Sequence, residues 1–380
     1  MERRNFLSAA AAATAAFAVK EAAFPAEASA QTRNTLAAAV EPQKLVTQLW
    51  SRHLQWVSTR AQADADPYGT GIKVGEALLA AGYAAVDLTV RSDGHVLPQL
   101  VATNLPAMLS GIRSTGAICD HIGVNFAPPA DPANTAWIAS QFVHEILSVA
   151  GANGIRKYRF NNSGAATFPA NTFGAEMTAL LDGVRLNHRR LAAINAQYGK
   201  LCGVAHTHSS NIGTTVGTYA YAMQGIDPNL IGINLAIGHV ATAAPGTAWQ
   251  TALRLNMPSI KCTAVEDLKA TVNATTGALS IGRVQPPGAT GTGGGVINWA
   301  TFYSLLRLGG FSGAAESQIE YTITGANGSA VSLNSAFFAD NAQFASGNLT
   351  PAIMIAAMKQ DSDFIRQRAV AGGWAAAQVL

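Results

Sequence analysis

The sequence predicts an α/β protein, a (β/α)8 TIM barrel preceded by a cleavable signal segment. Three observations carry that reading. Strand-like apolar runs alternate with helix-like stretches along most of the chain, eight such runs can be counted, and glycine follows the last turn of several of the helical stretches. The length of 380 residues suits one large domain plus a leader. An open doubly wound sheet is the rival, but no early strand is followed by a GxGxxG turn.

The leader occupies residues 1–30, followed by a polar linker over 31–44 and the barrel over 45–380. Arg3-Arg4-Asn5-Phe6-Leu7 resembles the twin-arginine export motif, an Ala-rich apolar stretch runs from Ser8 to Val19, and Ala28-Ser29-Ala30 is an A-x-A cleavage site. The apolar run is too short for a permanent membrane span. The expected location is periplasmic, or otherwise exported by the twin-arginine route.

The strands are expected at His53–Val57, Ala84–Val90, Ile118–Asn125, Ile155–Asn161, Leu201–His206, Ile231–Ile237, Ile260–Val265 and Gln318–Ile323. Each is a short, largely apolar run, most of them rich in β-branched or aromatic residues. Helices are expected at Lys73–Ala81, Ala136–Ala150, Phe173–Tyr198, Trp249–Asn256 and Trp299–Leu308, most of them stopping at Gly or before Pro. Two insertions, Asn162–Asn171 and Lys269–Gly295, follow the fourth and seventh strands. That is the face where such barrels keep their active sites. The GATGTGGG run in the second reads as flexible loop rather than phosphate cradle.

Composition narrows the function classes. Apolar residues make up 49%, charged residues 12%, and the formal net charge is +3. This describes a deep core under a lightly charged surface, without the basic stripe that nucleic acid requires. Cys119, Cys202 and Cys262 show neither zinc nor CxxC spacing and read as buried free thiols. Their places near the starts of alternate strands put them in one interior layer.

The stretch most suggestive of chemistry is Leu201–Ser210, LCGVAHTHSS. It leaves the core as a strand, and His206 and His208, two residues apart, point to the same side. Two converging imidazoles can bind a metal, carry protons or hydrogen-bond a ligand.

Several segments together resemble the xylose-isomerase-like TIM barrels known broadly as sugar phosphate isomerases/epimerases, most of all a twin-arginine-exported branch. They are SRHLQWV (Ser51–Val57), GYAAVDLTVRSDGHVLP (Gly82–Pro98), HTHSS, INLAIGHVATAAPGTAW (Ile233–Trp249), AVEDL (Ala264–Leu268) and IEYTI (Ile319–Ile323). The resemblance implies a divalent metal held by carboxylates and a histidine, and proton removal next to a sugar carbonyl. On that pattern the eighth-strand glutamate matches Glu320, and His208 and His239 match histidines after strands five and six. The sixth-strand aspartate falls on Ala236 and the seventh-strand histidine on Ala264. The lysine of the KD pair becomes Glu266, Asp267 is kept, and the GEG glutamate appears as Gly294.

The resulting expectation is a rearranged site. Glu320, His208 and His206 are its catalytic candidates, the same three with Asp267 its metal ligands, and Mn or Zn the divalent ion. Arg91, His95, Arg159, Asn161 and His239 are candidate substrate contacts. Arg91 could grip a carboxylate, hydroxyl or phosphate. Asp87 reads equally as a catalytic group or as half of an interior pair with Lys or Arg, and Asp120 and His121 read as structural. The expected function is an exported sugar isomerase or epimerase acting on a small-molecule carbohydrate or keto-sugar. The alternatives are a catalytically degenerate barrel that binds carbohydrate or a partner, and a lyase or hydrolase on the same scaffold.

Replacing Arg3 and Arg4 together by Lys is expected to leave the protein in the cytoplasm with its leader intact. Fractionation and a blot for leader removal check this; undiminished periplasmic protein from the double variant would remove the twin-arginine reading.

Overall fold

The computed structural model describes residues 43–162, 171, 173–208, 216–284, 295, 297–333 and 338–380. The leader, most of the first insertion and the GATGTGG part of the second lie outside the described residues. The unit Gln43–Leu380 is a closed barrel of eight parallel strands. They are β1 (Leu45–Trp50), β2 (Ala85–Val90), β3 (Ile118–Val124), β4 (Lys157–Asn161), β5 (Cys202–His206), β6 (Ile231–Ala236), β7 (Ile260–Val265) and, eighth around the barrel, β10 (Gly313–Ser317). The intervening β8 (Asp267–Val272) and β9 (Leu279–Val284) form an antiparallel hairpin after β7, and β11 (Thr322–Thr324) pairs with β12 (Ala330–Ser332). Among the described residues no helix is long and apolar enough to cross a membrane.

Six of the eight barrel strands fall where the sequence predicts them, within a residue or two at each end. The first and eighth do not. Ser51–Val57 is a 3-10 helix, and the strand is the preceding LVTQLW. The eighth strand is GAAES, and Gln318–Tyr321 lies in the connection after it. Both corrections have one physical cause. The interior of this barrel is polar, so Gln48 and Glu316 face inward where strand heuristics look for Val, Ile and Leu. The eighth strand is also made of small residues because neighbouring backbone is close. A Cβ on Gly313 would meet the Lys261 carbonyl oxygen at 2.5 Å.

The outer faces of the strands pack conventionally. Val86, Leu88 and Val90 of β2 belong with Leu45, Leu49, Ile122 and Phe160 to the main apolar core shared with the helices. On the helix side, Asp66 caps the N-terminus of Pro67–Ala80 by accepting from Gly69 N, and Thr350 caps Pro351–Ala371 by accepting from Ile353 N. The chain end closes on the first strand. Leu380 N donates to Leu45 O at 2.9 Å, and Thr47 N donates to Leu380 O at 2.9 Å.

All three cysteines are buried and free. Cys202 and Cys262 share a small cluster with Val204 and Ala314 in the barrel interior. Cys119 is the exception to the expected common layer and packs in the main core. The chain bulges between Val86 and Asp87, where Asp87 pairs with His121 and Asp120 is left over. Burial pushes the Cys119 and Cys262 thiols up to about 12 and Cys202 up to about 11. A thiol reagent at neutral pH is therefore expected to label none of them in native protein and all three after denaturation. Fast labelling of the native chain would contradict this packing.

Candidate functional site

Two groups of polar side chains occupy the barrel, one deep inside and one at the C-terminal mouth. The deep group follows from strand register. Gln48 of β1 lies beside Glu316 of β10, Trp50 beside Asp87 of β2, Asp87 beside His121 of β3, and Gly123 beside Arg159 of β4. Asp87, His121, Glu316 and Gln48 are completely buried. Arg159 Nε donates to Asp87 Oδ2 at 2.9 Å. His121 Nδ1 donates to Asp120 Oδ2 at 3.0 Å, and its Nε2 lies 3.2 Å from Glu316 Oε2 and 3.6 Å from Asp87 Oδ2. Glu316 also accepts from the Gln48 and Gln318 amides at 2.8 Å each, and Lys157 pairs with Asp120 at 2.7 Å.

Charge balance explains how such a group survives burial. Asp87, Asp120 and Glu316 face Lys157, Arg159 and the imidazolium of His121, three carboxylates against three cations. Burial alone would raise the Asp87 carboxyl, but Arg159 and His121 hold it down at about 2. Burial would likewise lower His121, but Asp87, Asp120 and Glu316 hold it well above the usual imidazole range.

Asp87, His121 and Glu316 are also spaced to hold a metal ion, with one donor atom from each lying within 4.8 Å of the others. Two carboxylates and an imidazole suit a divalent cation, and Asp87 Oδ1 is buried with no hydrogen-bond partner among the described residues. A cation held here would compete with Arg159 for Asp87 and would take the place of the proton on His121.

The second group stands where strands five, six and seven end. His206 closes β5 between Asn161 of β4 and Asn234 of β6. His208 follows it, and His239 lies in the short helix Ile237–Ala243. The His206 ring lies 5.9 Å from that of His208 and 6.3 Å from that of His239, and His208 and His239 are 4.1 Å apart. His239 Nε2 lies 3.3 Å from Glu266 Oε1, just past the end of β7. His206, His239 and Glu266 are buried, and His208 is half-buried.

The remaining candidates are placed as follows. Glu320 lies in the connection after β10, half-buried, with its N–H on Gln318 O at 3.0 Å. Asp267 opens the hairpin and accepts from Leu268 N at 2.8 Å and the Trp299 indole at 2.9 Å. Arg91 grips Asp93 with two hydrogen bonds, of 3.0 and 2.8 Å. It also lines a cavity of about 280 Å³ with Ser92, Gln99, Asn125, Gln141 and Phe142. His95 is wholly buried, 3.2 Å from Ser51 Oγ and edge-on to Phe338, and burial lowers it to about 4. Asn161 ends β4 beside His206, and Arg159 belongs to the deep group.

Sequence reasoning missed Glu316 and Gln48 and left Glu266 as a substituted lysine. Register supplies the signal for Glu316. It sits directly beside Ala264, which sits beside Ala236, the two positions where the resemblance loses its ligands. The eighth-strand carboxylate is therefore present one turn of loop earlier than Glu320. Its partners come from strands two, three and four instead of six and seven.

Solved structures of similar fold include xylose-isomerase-like TIM barrels, sugar epimerases and a probable 3-DHS dehydratase. A xylose isomerase-like TIM barrel protein from Mycobacterium smegmatis in complex with magnesium aligns at TM-score 0.56 and 11% identity, covering 87% of this chain and 98% of that one. The IOLI protein with a binding zinc atom aligns at 0.55 and 13%, covering 85% and 98%. A D-allulose 3-epimerase from Methylomonas sp. in complex with D-allulose aligns at 0.53 and 13%, covering 86% and 98%. At these identities the likeness shows the fold. No protein-family model and no curated protein matches the chain.

The deep network sets a pH window for stability. Asp87, depressed when folded, contributes fully above its unfolded value of about 4, and its contribution is lost as pH falls toward 2. His121, raised when folded, contributes fully below about 6.5, and its contribution is lost as pH rises through its folded value. Thermal melts should therefore peak between about pH 4 and 6.5. Arg159→Met should cost about 3–5 kcal/mol by stranding Asp87. A melting optimum above pH 8, or an unharmed Met variant, would show that the network is not balanced in this way.

Proposed function

We propose that the chain is a carbohydrate isomerase or epimerase that moves a proton next to a sugar carbonyl at the C-terminal mouth of the barrel. The observation that carries this reading is the convergence of His206, His208 and His239 with Glu266 over strands five to seven. Epimerisation and aldose–ketose isomerisation both take a proton from carbon and return one. Imidazoles whose ordinary pKa lies near neutrality suit both steps. Glu266 Oε1 lies 3.3 Å from His239 Nε2, placed to orient that ring, and the neighbouring His208 ring offers a second proton carrier. The half-buried His208 is the member of the group open to a ligand. The RRNFL and ASA segments support action outside the cytoplasm, where sugars without phosphate are the commoner substrates.

A divalent ion held by this chain would supply Lewis-acid polarisation of carbonyl and hydroxyl oxygens. The donors that fit it by spacing are Asp87, His121 and Glu316. The imidazoles at the mouth are a second set, of softer character.

One observation favours a different reading, a barrel that binds carbohydrate without turning it over. Ala236 and Ala264 supply no ligand beside Glu316, and Arg159 already provides Asp87 with a cation. Deuterium exchange decides between the two. Incubated in D2O with ketohexoses and ketopentoses, D-allulose and L-ribulose first, wild type should incorporate solvent deuterium at carbon. His208→Ala should lose this by roughly 10²–10⁴-fold. Metal analysis of wild type, Glu316→Gln and His208→Ala should show which donor set holds the ion. Sugar binding with no deuterium incorporation at any metal supplement would leave the binding reading in place.

A further inference from the structure

The side of the mouth opposite the histidines carries a feature that proton transfer does not use. Three guanidinium groups gather on one indole. Arg159 Cζ lies 4.8 Å from the Trp50 ring centroid, Arg52 Cζ 5.2 Å and Arg91 Cζ 5.6 Å. The Trp50 N–H is held by Thr89 Oγ1 at 3.1 Å, which fixes the ring. Guanidinium groups stack well on such a ring, but three of them repel one another unless anions lie nearby.

Two of the three cations have carboxylate partners. Asp93 spends both oxygens on Arg91, and Asp87, with Glu316 Oε1 at 3.9 Å, holds Arg159. Arg52 is left over. It makes no ion pair or hydrogen bond to any described residue, and its Nε is buried without a partner. Burial lowers its pKa and the two neighbouring arginines lower it further, against the opposing pull of Asp93. Among the described residues this leaves a positive charge without a carboxylate partner beside Trp50, and a half-buried guanidinium fork with an orphaned donor is built to receive planar or tetrahedral oxyanions.

We propose that Arg52, with Arg91 and Arg159 around Trp50, forms a subsite for the anionic group of a ligand, a carboxylate or a phosphate, at the mouth over β1, β2 and β4. The assignment deepens the carbohydrate reading by naming acidic sugars as the substrate class. It rests on that reading for the sugar but not for the anion.

Calorimetric titration of the full-length mature protein tests it with four probes: inorganic phosphate, a hexuronate, a hexose phosphate and the corresponding neutral hexose. Both acidic sugars should bind at least about tenfold more tightly than the neutral hexose, with affinity falling as salt is raised. Arg52→Gln should abolish that preference and Arg52→Lys should keep part of it, while thermal melts show both variants folded. The carboxylate and phosphate arms identify which oxyanion the subsite prefers. Phosphate binding that depends on Arg52, without binding of any sugar, would uphold the anion subsite and sink the carbohydrate reading. Equal binding of acidic and neutral sugars, or an acidic preference unchanged in Arg52→Gln, would overturn the subsite.

Discussion

A balanced set of charges sealed inside a parallel barrel is the constraint on which the rest of the structure depends. An unpaired carboxylate in this interior would cost several kcal/mol. Asp87, Asp120 and Glu316 are tolerable only because Arg159, Lys157 and protonated His121 reach them at hydrogen-bond or ion-pair distance. The network ties strands β2, β3, β4 and β10 across the barrel, and Gln48 adds β1. Register is pinned as a result, since sliding one strand by a residue would turn its charged member out toward the apolar helix layer. The polar interior and the order of the strands are thus one fact.

Above the network the barrel changes character. The floor is Cys202, Val204, Cys262 and Ala314, the middle is charged and closed, and the mouth carries three imidazoles, of which His206 and His239 are buried and His208 is half-buried. Chemistry needs groups whose protons can leave and return at ordinary pH. His121 is held too firmly by its carboxylates for that, and His95 is held neutral by burial. On the proposed function the candidates for turnover are those at the mouth, and the deep trio would contribute through rigidity or through a cation held in place of its proton.

Much of the fold was legible in the sequence, and the candidate site only in part. Most of the six predicted barrel strands announce themselves because their outer faces carry Val, Ile, Leu and Phe, and β5 because LCGVA is an unbroken apolar run. Leu45–Trp50 and Gly313–Ser317 are hidden because Gln48, Glu316, glycine and alanine are what the interior demands there. That misplacement carried the eighth-strand carboxylate to Glu320. His206 and His208 could be found from two-residue spacing, but Glu266 is brought to His239 by a turn after β7 that no local pattern signals. Asp87 with Arg159 could be anticipated as an interior pair; that His121 and Glu316 join it depends on barrel closure, which brings residues far apart in the chain into one register.

Arg159 is where the two halves of the molecule meet. Its Nε is fixed on Asp87 in the closed network, while its guanidinium carbon lies against Trp50, which Arg52 and Arg91 share at the mouth. The pull of Asp87 on Arg159 therefore sets how much positive potential remains for Arg52, because like charges on one ring feel each other at short range. An anion bound at Arg52, as proposed, would relieve the repulsion among all three guanidiniums and so would favour the folded arrangement of the network below it. Neutralising Asp87 would free one more positive charge for the mouth while weakening the barrel beneath it. On the proposed anion subsite, ligand charge and fold stability would be coupled through Trp50, and such a coupling would run equally in both directions.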